Sequence, residues 1–304
     1  MNERILVIGE ALIDRVRDTD GDVVEHPGGS PANVAVGLAR LNHLVDFATR
    51  IGQDERGARI ANHLTRHGVS LLKASVGPNP TSVAEAHLDP SGAAEYTFDL
   101  HWDLPRVSVP ARVSHVHTGS IAAVLEPGAA SVLATLRAAR AHATISYDPN
   151  LRPDIMGDLD AVRPRVEEIV GLADVVKASD EDLALIYPGQ AVPEVLRRWA
   201  KLGPSLVVVT RGAEGAVFGL SATGELASAP TLADTVVDTV GAGDSFMAGL
   251  LSGLAAAGLT GTEGRERLAT ASLAEVRPAV ERALACAGLT VGRAGAYAPS
   301  LDEL

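Results

Sequence analysis

A chain of 304 residues exceeds the usual size of a compact domain, yet it still allows one large α/β domain with a small appendage. A hydrophobic content of 46% with only 3% aromatics specifies a core of Ala, Val, Leu and Ile, and a formal net charge of -12 argues against a nucleic-acid partner, since phosphate backbones are bound through basic patches. The single Cys286 excludes an internal disulfide, so a reducing cytoplasm is the expected compartment and the thiol reads as a small core filler.

The first residues, Met1-Asn2-Glu3-Arg4, run directly into ILVIG, too short and too early for the apolar centre of a signal peptide. No apolar stretch approaches membrane-spanning length. The final LDEL lacks the leading Lys or His of a retention signal and is read as chance.

ILVIGEALID opens a series of short apolar runs, each ending in Gly, Asp or Asn and each followed by an Ala/Leu-rich helical stretch. HVHTGSI, TISYDPNLR, DVVKASDEDL and LVVVTRGAEGA continue the series, with an amphipathic helix over 194–202. This alternation predicts a mostly parallel sheet covered on both faces by helices. In such a sheet ligands gather at the carboxyl ends of the strands, where Asp14, Gly119, Asp148, Asn150, Ser179, Thr210 and Asp244 fall.

Two segments depart from the series. Residues 12–28 and 81–107 carry alternating patterns with turn signals at Asp20-Gly21 and Pro90-Ser91-Gly92, and read as inserted hairpins. Hairpins are marginal alone, so these two are expected to pair as a small sheet, a lid over the strand ends. A lid sheet has open edges that a second subunit can cover, which makes a homodimer through the lid an expectation alongside a monomer. Tyr96, Phe98 and Trp102 concentrate scarce aromatics here, for sugar stacking or for packing. His115 and His117 alternate on a strand without further ligands at metal-binding spacing, and read as structural.

Towards the C-terminus, VVDTVGAGDSFMAGLLSGL breaks an apolar run with Gly241-Ala242-Gly243, follows it with Asp244, and continues as a small-residue helix. The glycines permit a turn whose free backbone N–H groups, backed by the helix dipole, form an anion hole. The turn lacks the Lys of a Walker A loop and the third Gly of a dinucleotide fingerprint. Asp244 suits two roles: capping the helix, or accepting the proton of an alcohol that attacks a phosphate held on those amides.

The stretch D238-T-V-G-A-G-D244 resembles the second signature of the ribokinase-like (PfkB) sugar kinases, and P27-G-G-S-P-A-N33-V-A-V-G-L-A-R-L41 resembles the first. R50-I-G-Q-D-E-R-G57 and V208-V-T-R-G-A-E-G215 are similar to further family segments, so the likeness runs in order from about Ile5 to about Ser300. The resemblance implies one kinase domain over 1–304, a three-layer sandwich with a small β-sheet lid. It implies ATP-dependent phosphorylation of a free sugar hydroxyl, with Mg2+ and a monovalent cation, K+, as cofactors.

By the same resemblance Asp244 is the catalytic base, and the backbone of Gly241, Ala242 and Gly243 stabilises the transferred phosphoryl. Asp14, Gly28, Gly29, Asn33, Asn150 and Arg152 bind the sugar. Ser179, Thr210, Gly212 and Gly215 face the nucleotide, whose adenine lies against 283–287. Asp182 stands where the family carries the Glu that orders magnesium-bound water, with Glu181 as its substitute. Asp238, Val240, Thr290, Gly295 and Ser300 match the monovalent-cation loops. GEALID, GGSPANVA and HTGS look most like fructokinases, and DPNLR resembles the run that marks the fructokinase and 2-keto-3-deoxygluconate kinase branch. A 2-keto-3-deoxygluconate kinase, with His101 or Arg106 as a second basic group, and a ribokinase or nucleoside kinase stay open as alternatives, as does a catalytically silent sugar-binding protein.

Overall fold

The computed structural model describes residues 4–17, 21–88 and 94–304. The chain begins with β1 (Arg4–Ile8), β2 (Leu12–Arg17) and β3 (Val23–Gly28), then α1 (Ser30–Arg40), β4 (Leu44–Ala48), α2 (Glu55–Arg66) and β5 (Val69–Leu71). It continues through β6 (Val83–Leu88), β7 (Ala94–Asp99), β8 (Val113–Gly119), α3 (Gly128–Ala139), β9 (Thr144–Asp148), α4 (Pro153–Met156) and α5 (Leu159–Leu172). The C-terminal half holds β10 (Val175–Ser179), α6 (Asp180–Ile186), α7 (Val192–Ala200), β11 (Leu206–Thr210), β12 (Ala216–Leu220) and β13 (Leu226–Ala229). Three helices close the order: α8 (Ala242–Ala256), α9 (Gly261–Ala269) and α10 (Leu273–Val291).

Among the described residues a nine-stranded sheet runs in the order β13-β12-β11-β10-β9-β8-β1-β4-β5. Its pairings from β11 to β5 are parallel, and β12 and β13 add an antiparallel edge. Both faces are covered, so alternate side chains of one strand enter different cores. Ile5 and Val7 pack with the α1, α8 and α10 layer, while Leu6 and Ile8 pack with the α3, α5 and α7 layer.

The layer behind the glycine turn is assembled from small residues. A Cβ on Gly249 would lie 2.8 Å from Ala283 Cα and Cys286 Sγ, and one on Gly253 would lie 2.5 Å from Ala279 Cα. The small-residue helix thus lets α8 and α10 pack almost backbone to backbone. Cys286 is a buried part of that contact, and burial pushes its thiol up to about 11.

A second, four-stranded sheet has the order β3-β2-β6-β7. Its two hairpins join through β2 and β6, which pair in parallel. Asp20 and the Pro90-Ser91-Gly92 turn lie outside the described residues. The second segment is strand only as far as Asp99. From His101 to Val107 the chain is irregular, and Trp102, Leu104 and Val107 are buried against the main sheet's helices. Trp102 donates its Nε1–H to the Ala122 carbonyl at 3.0 Å, so this aromatic belongs to the core. Tyr96 and Phe98 stay on β7 with near-parallel rings 6.0 Å apart.

The Arg50-to-Gly57 stretch anchors the small sheet. Arg50 Nε donates to Asp103 Oδ1 at 2.7 Å, and Asp54 accepts from the Gly57 and Thr81 amides at 2.7 and 2.8 Å. Amphipathic α7 runs from Val192, two residues earlier than the sequence pattern suggests, because Pro193 suits a first helical turn.

Candidate active site

The glycine turn and α8 define the centre of the site. Gly241 adopts a left-handed conformation, φ 76°, and a Cβ there would lie 2.7 Å from Ala296 Cβ. It precedes α8 without any side-chain cap, which leaves the Gly243 and Asp244 amides uncapped at the helix start, while the Ala242 amide donates to the Thr239 carbonyl at 3.2 Å. Asp244 stands one turn in. Its Oδ1 accepts from Ser30 Oγ at 2.6 Å, and its Oδ2 accepts from Asn33 Nδ2 at 2.8 Å. Both donors come from the first turn of α1, which places the two glycine-rich segments face to face. Burial raises the Asp244 pKa, while those two hydrogen bonds, Lys177 and Arg152 pull it down. Such a carboxylate is positioned, partly desolvated and still ionisable, as a general base requires.

Asp14 lies on β2 in the same cleft, close enough for its charge and that of Asp244 to repel each other. Its pKa rises to about 6, chiefly through desolvation by the cleft walls, against the pull of His26 and Arg152. With its pKa at about 6 the carboxylate is still mostly ionised at neutral pH. Gly28 makes room for it: a Cβ at that position would sit 1.8 Å from Asp14 Oδ2. Gly29, φ 106°, passes so near β1's exit that a Cβ would lie 2.5 Å from the Glu10 carbonyl oxygen. Asn150 takes φ 37° just past β9, an uncommon backbone state of the kind that collects at functional sites. Arg152 follows it, exposed, and its charge reaches both Asp14 and Asp244.

The residues assigned to the nucleotide and magnesium lie at the neighbouring strand ends. Thr210 ends β11, and Gly212 and Gly215 follow with φ 49° and 83°. Ser179 and Asp182 form a reciprocal cap at the start of α6: Ser179 Oγ accepts from the Asp182 amide, and Asp182 Oδ2 accepts from the Ser179 amide at 2.8 Å. Asp182 Oδ1 accepts from the Leu151 amide at 2.7 Å, tying the Asn150–Arg152 loop to α6. Asp182 is therefore buried with both oxygens engaged inside the protein, whereas Glu181 beside it is exposed.

Of the cation-loop residues, Asp238 accepts from the Val240 and Gly295 amides at 3.0 and 2.8 Å, joining the two loops. Thr290 is buried and donates to the Tyr297 carbonyl at 2.9 Å, while Ser300 Oγ turns to Glu303. No cluster of three or more acidic, His or Cys side chains able to hold a metal exists among the described residues. His115 and His117 are buried and share Ser146 Oγ at 2.7 and 2.9 Å, and burial takes both pKa values down to about 3.

Three charged or polar groups around the site escaped the sequence reading. Ser30 lies inside the PGGSPAN stretch, between Gly29 and Asn33, and reaches Asp244 directly. Glu10 lies inside GEALID, yet it is buried and accepts from the Ala122 amide at 3.2 Å. Lys177, one of only three lysines, is buried against Asp148. The sequence signal for the lysine is its isolation in an apolar run, where a charge without a partner is costly.

The chain matches the model of the pfkB family carbohydrate kinases over residues 2–303. It is 34% identical over 315 residues to a fructokinase of Klebsiella pneumoniae, covering 100% of this chain and 99% of that protein. A fructokinase of Escherichia coli is 32% identical with the same coverage. The solved structure of a Vibrio cholerae O395 fructokinase double mutant, in fructose, ADP and potassium ion bound form, superposes with a TM-score of 0.80 at 28% identity, covering 98% of this chain and 96% of that one. Xylella fastidiosa fructokinase with bound ATP gives a TM-score of 0.84 at 25% identity, covering 100% and 97%. With two glycine-rich segments converging on one carboxylate at the strand ends, the chain belongs to the pfkB family of carbohydrate kinases, sugar kinases on the ribokinase-like α/β fold.

Proposed function

We propose that this kinase transfers the γ-phosphoryl group of ATP to a hydroxyl of free fructose, giving fructose 6-phosphate and ADP. The observation that carries the reading is the carboxylate of Asp244, oriented by Ser30 and Asn33 at the uncapped start of α8 and sharing a cleft with Asp14. Asp14 grips neighbouring sugar hydroxyls, which a single ionised carboxylate accepts from in pairs. Asn33, the Gly28–Gly29 backbone, Asn150 and Arg152 line the remainder of the sugar. Asp244 takes the hydroxyl proton as the sugar oxygen bonds to phosphorus and the bond to ADP breaks, and the amides of Gly241, Ala242 and Gly243 receive the charge that gathers on the phosphoryl oxygens.

The nucleotide lies along Thr210, Gly212 and Gly215, with its base in the groove lined by Leu232, Ala285, Gly288 and Leu289. Magnesium would supply neutralisation of phosphate charge, and Glu181 would be the acid that orders its water, since both Asp182 oxygens accept hydrogen bonds inside the protein. Potassium would be held near the 238–240 and 295 loops, which Asp238 joins and supplies with a negative charge. The β2, β3, β6 and β7 sheet acts as the lid that excludes water. Its exposed Val16, Val23, Val24 and Tyr96 suit a homodimer through the lid, which sedimentation velocity tests by its mass. A cytoplasmic setting supplies the ATP.

A coupled assay over fructose, 2-keto-3-deoxygluconate, ribose and a nucleoside, with ATP and magnesium and with or without potassium, tests the substrate. The reading expects fructose to lead in kcat/KM and potassium to raise the rate. Preference for the keto-deoxy acid or ribose replaces the sugar but keeps the chemistry, and no turnover with any of them leaves a sugar-binding protein.

A further inference from the structure

A buried charged pair lies beneath the site. Lys177 on β10 is 4% exposed and Asp148 at the end of β9 is 2% exposed. Lys177 Nζ donates to Asp148 Oδ2 at 2.9 Å, and Asp148 Oδ1 is buried without a hydrogen-bond partner. The ammonium also lies against the glycine turn: a Cβ built on Gly243 would be only 3.0 Å from Nζ.

Stability does not explain a cation in that place. A buried ion pair is often no better than well-packed apolar side chains, because desolvation cancels the attraction. A positive charge beside the first turn of α8 is also on the wrong end of the helix dipole, which favours anions there. The arrangement becomes favourable once an anion rests on the turn, with the dipole and the ammonium then acting on it together.

We propose that Lys177 is the cation of this anion hole, a positioning residue delivered through space by β10 and fixed behind Gly243 by Asp148. The glycine turn carries no lysine of its own because this one lies beneath it. The proposal rests on the kinase reading and adds to it a residue outside both glycine-rich segments. Lys177 serves the phosphoryl charge and holds the Asp244 carboxylate in its ionised form. The groups facing it are Asp148 from β9, Asp182 from α6, His117 from β8 and Asp244 from α8. Burial opposes the Lys177 charge, but the three carboxylates outweigh it and hold the ammonium above its ordinary pKa. His117 stays neutral and does not compete.

The test compares Lys177→Met, Lys177→Met with Asp148→Asn, and Asp244→Asn, each by thermal melting and by kcat and KM for fructose and ATP across pH. The single Lys177→Met chain leaves Asp148 alone in the interior and is the one at risk of unfolding. The double variant removes both charges with similar volume and keeps the comparison valid. The proposal expects a folded double variant with kcat lower on the order of 10²-fold and the KM for fructose nearly unchanged. In the folded fraction of the single Lys177→Met chain the acidic limb of the rate profile should move to higher pH, since Asp244 has lost a charge that favours its ionised form; in the double variant the loss of Asp148, which repels Asp244, offsets that shift. A folded double variant with wild-type kcat overturns the proposal. If Asp244→Asn is inactive in that case, only Lys177 has been misassigned. If Asp244→Asn is itself active, the reading beneath fails too and the proposal with it.

Discussion

Replacing Glu10 with Gln separates the electrostatics of the cleft from its shape. Glu10 follows β1, is 6% exposed and accepts from the Ala122 amide at 3.2 Å. Burial pushes its carboxyl from 4.5 up to about 7, opposed by hydrogen bonds from its own amide, Ser120 and Ala122 and assisted by the Asp244 charge. A carboxyl with a raised folded pKa favours the native state while it holds its proton. Below pH 4.5 both folded and unfolded chains are protonated, and that contribution is complete. As pH rises towards about 7 the unfolded chain ionises while the native chain resists, so the contribution is lost. At about 1.4 kcal/mol per pH unit of separation, the gap is worth on the order of 3 kcal/mol. Gln keeps the acceptor and the volume but never ionises. Urea unfolding from about pH 5 to about pH 8 at fixed salt should therefore show the Gln variant gaining on the wild type by that order as pH rises. Asp14 and Asp148 drift with the same sign, each raised to about 6, and their contribution cancels in the difference. Stability curves that stay parallel across the range would refute the burial argument for Glu10.

Two further substitutions probe the geometry. Gly28→Ala places a methyl where Asp14 Oδ2 now lies, so the carboxylate must rotate away from the position proposed for the sugar. Two charge-assisted hydrogen bonds are at stake, and kcat/KM for the sugar should fall on the order of 10²-fold with melting little changed. Unchanged kinetics would free Asp14 from sugar binding. Ser30→Ala removes the 2.6 Å bond to Asp244 Oδ1, one of the contacts holding that pKa down. The acidic limb of kcat/KM should move to higher pH while the rate on the alkaline plateau changes by less than about tenfold. A limb that stays in place would mean Ser30 does not bear on the base.

How much of this was legible in the sequence depends on how local the cause is. The apolar runs and their polar ends point to the parallel sheet and to the edge that carries the candidate site, because strand period and burial act within a few residues. The pairing of the two hairpins was also legible, since neither is stable without the other. The irregular stretch from His101 to Val107 was not, as its apolar residues look like strand but bury against helices. Partnerships across the fold were hidden for the same reason. Ser30 and Asn33 meet Asp244 from more than two hundred residues away, and Asp148 meets Lys177 from the next strand. Asp182 illustrates the converse: its spacing from Ser179 points equally to a cap and to a magnesium site, and only the Leu151 amide reveals that its second oxygen is also occupied.

Asp244 is the proposed group that removes the sugar proton. Steady-state turnover of fructose and ATP by Asp244→Asn, with fructose binding measured separately by thermal shift, addresses it directly. Loss of a general base predicts a fall in kcat of roughly 10²- to 10⁴-fold while fructose still stabilises the folded chain. An Asn variant that binds fructose and turns over at the wild-type rate would contradict it.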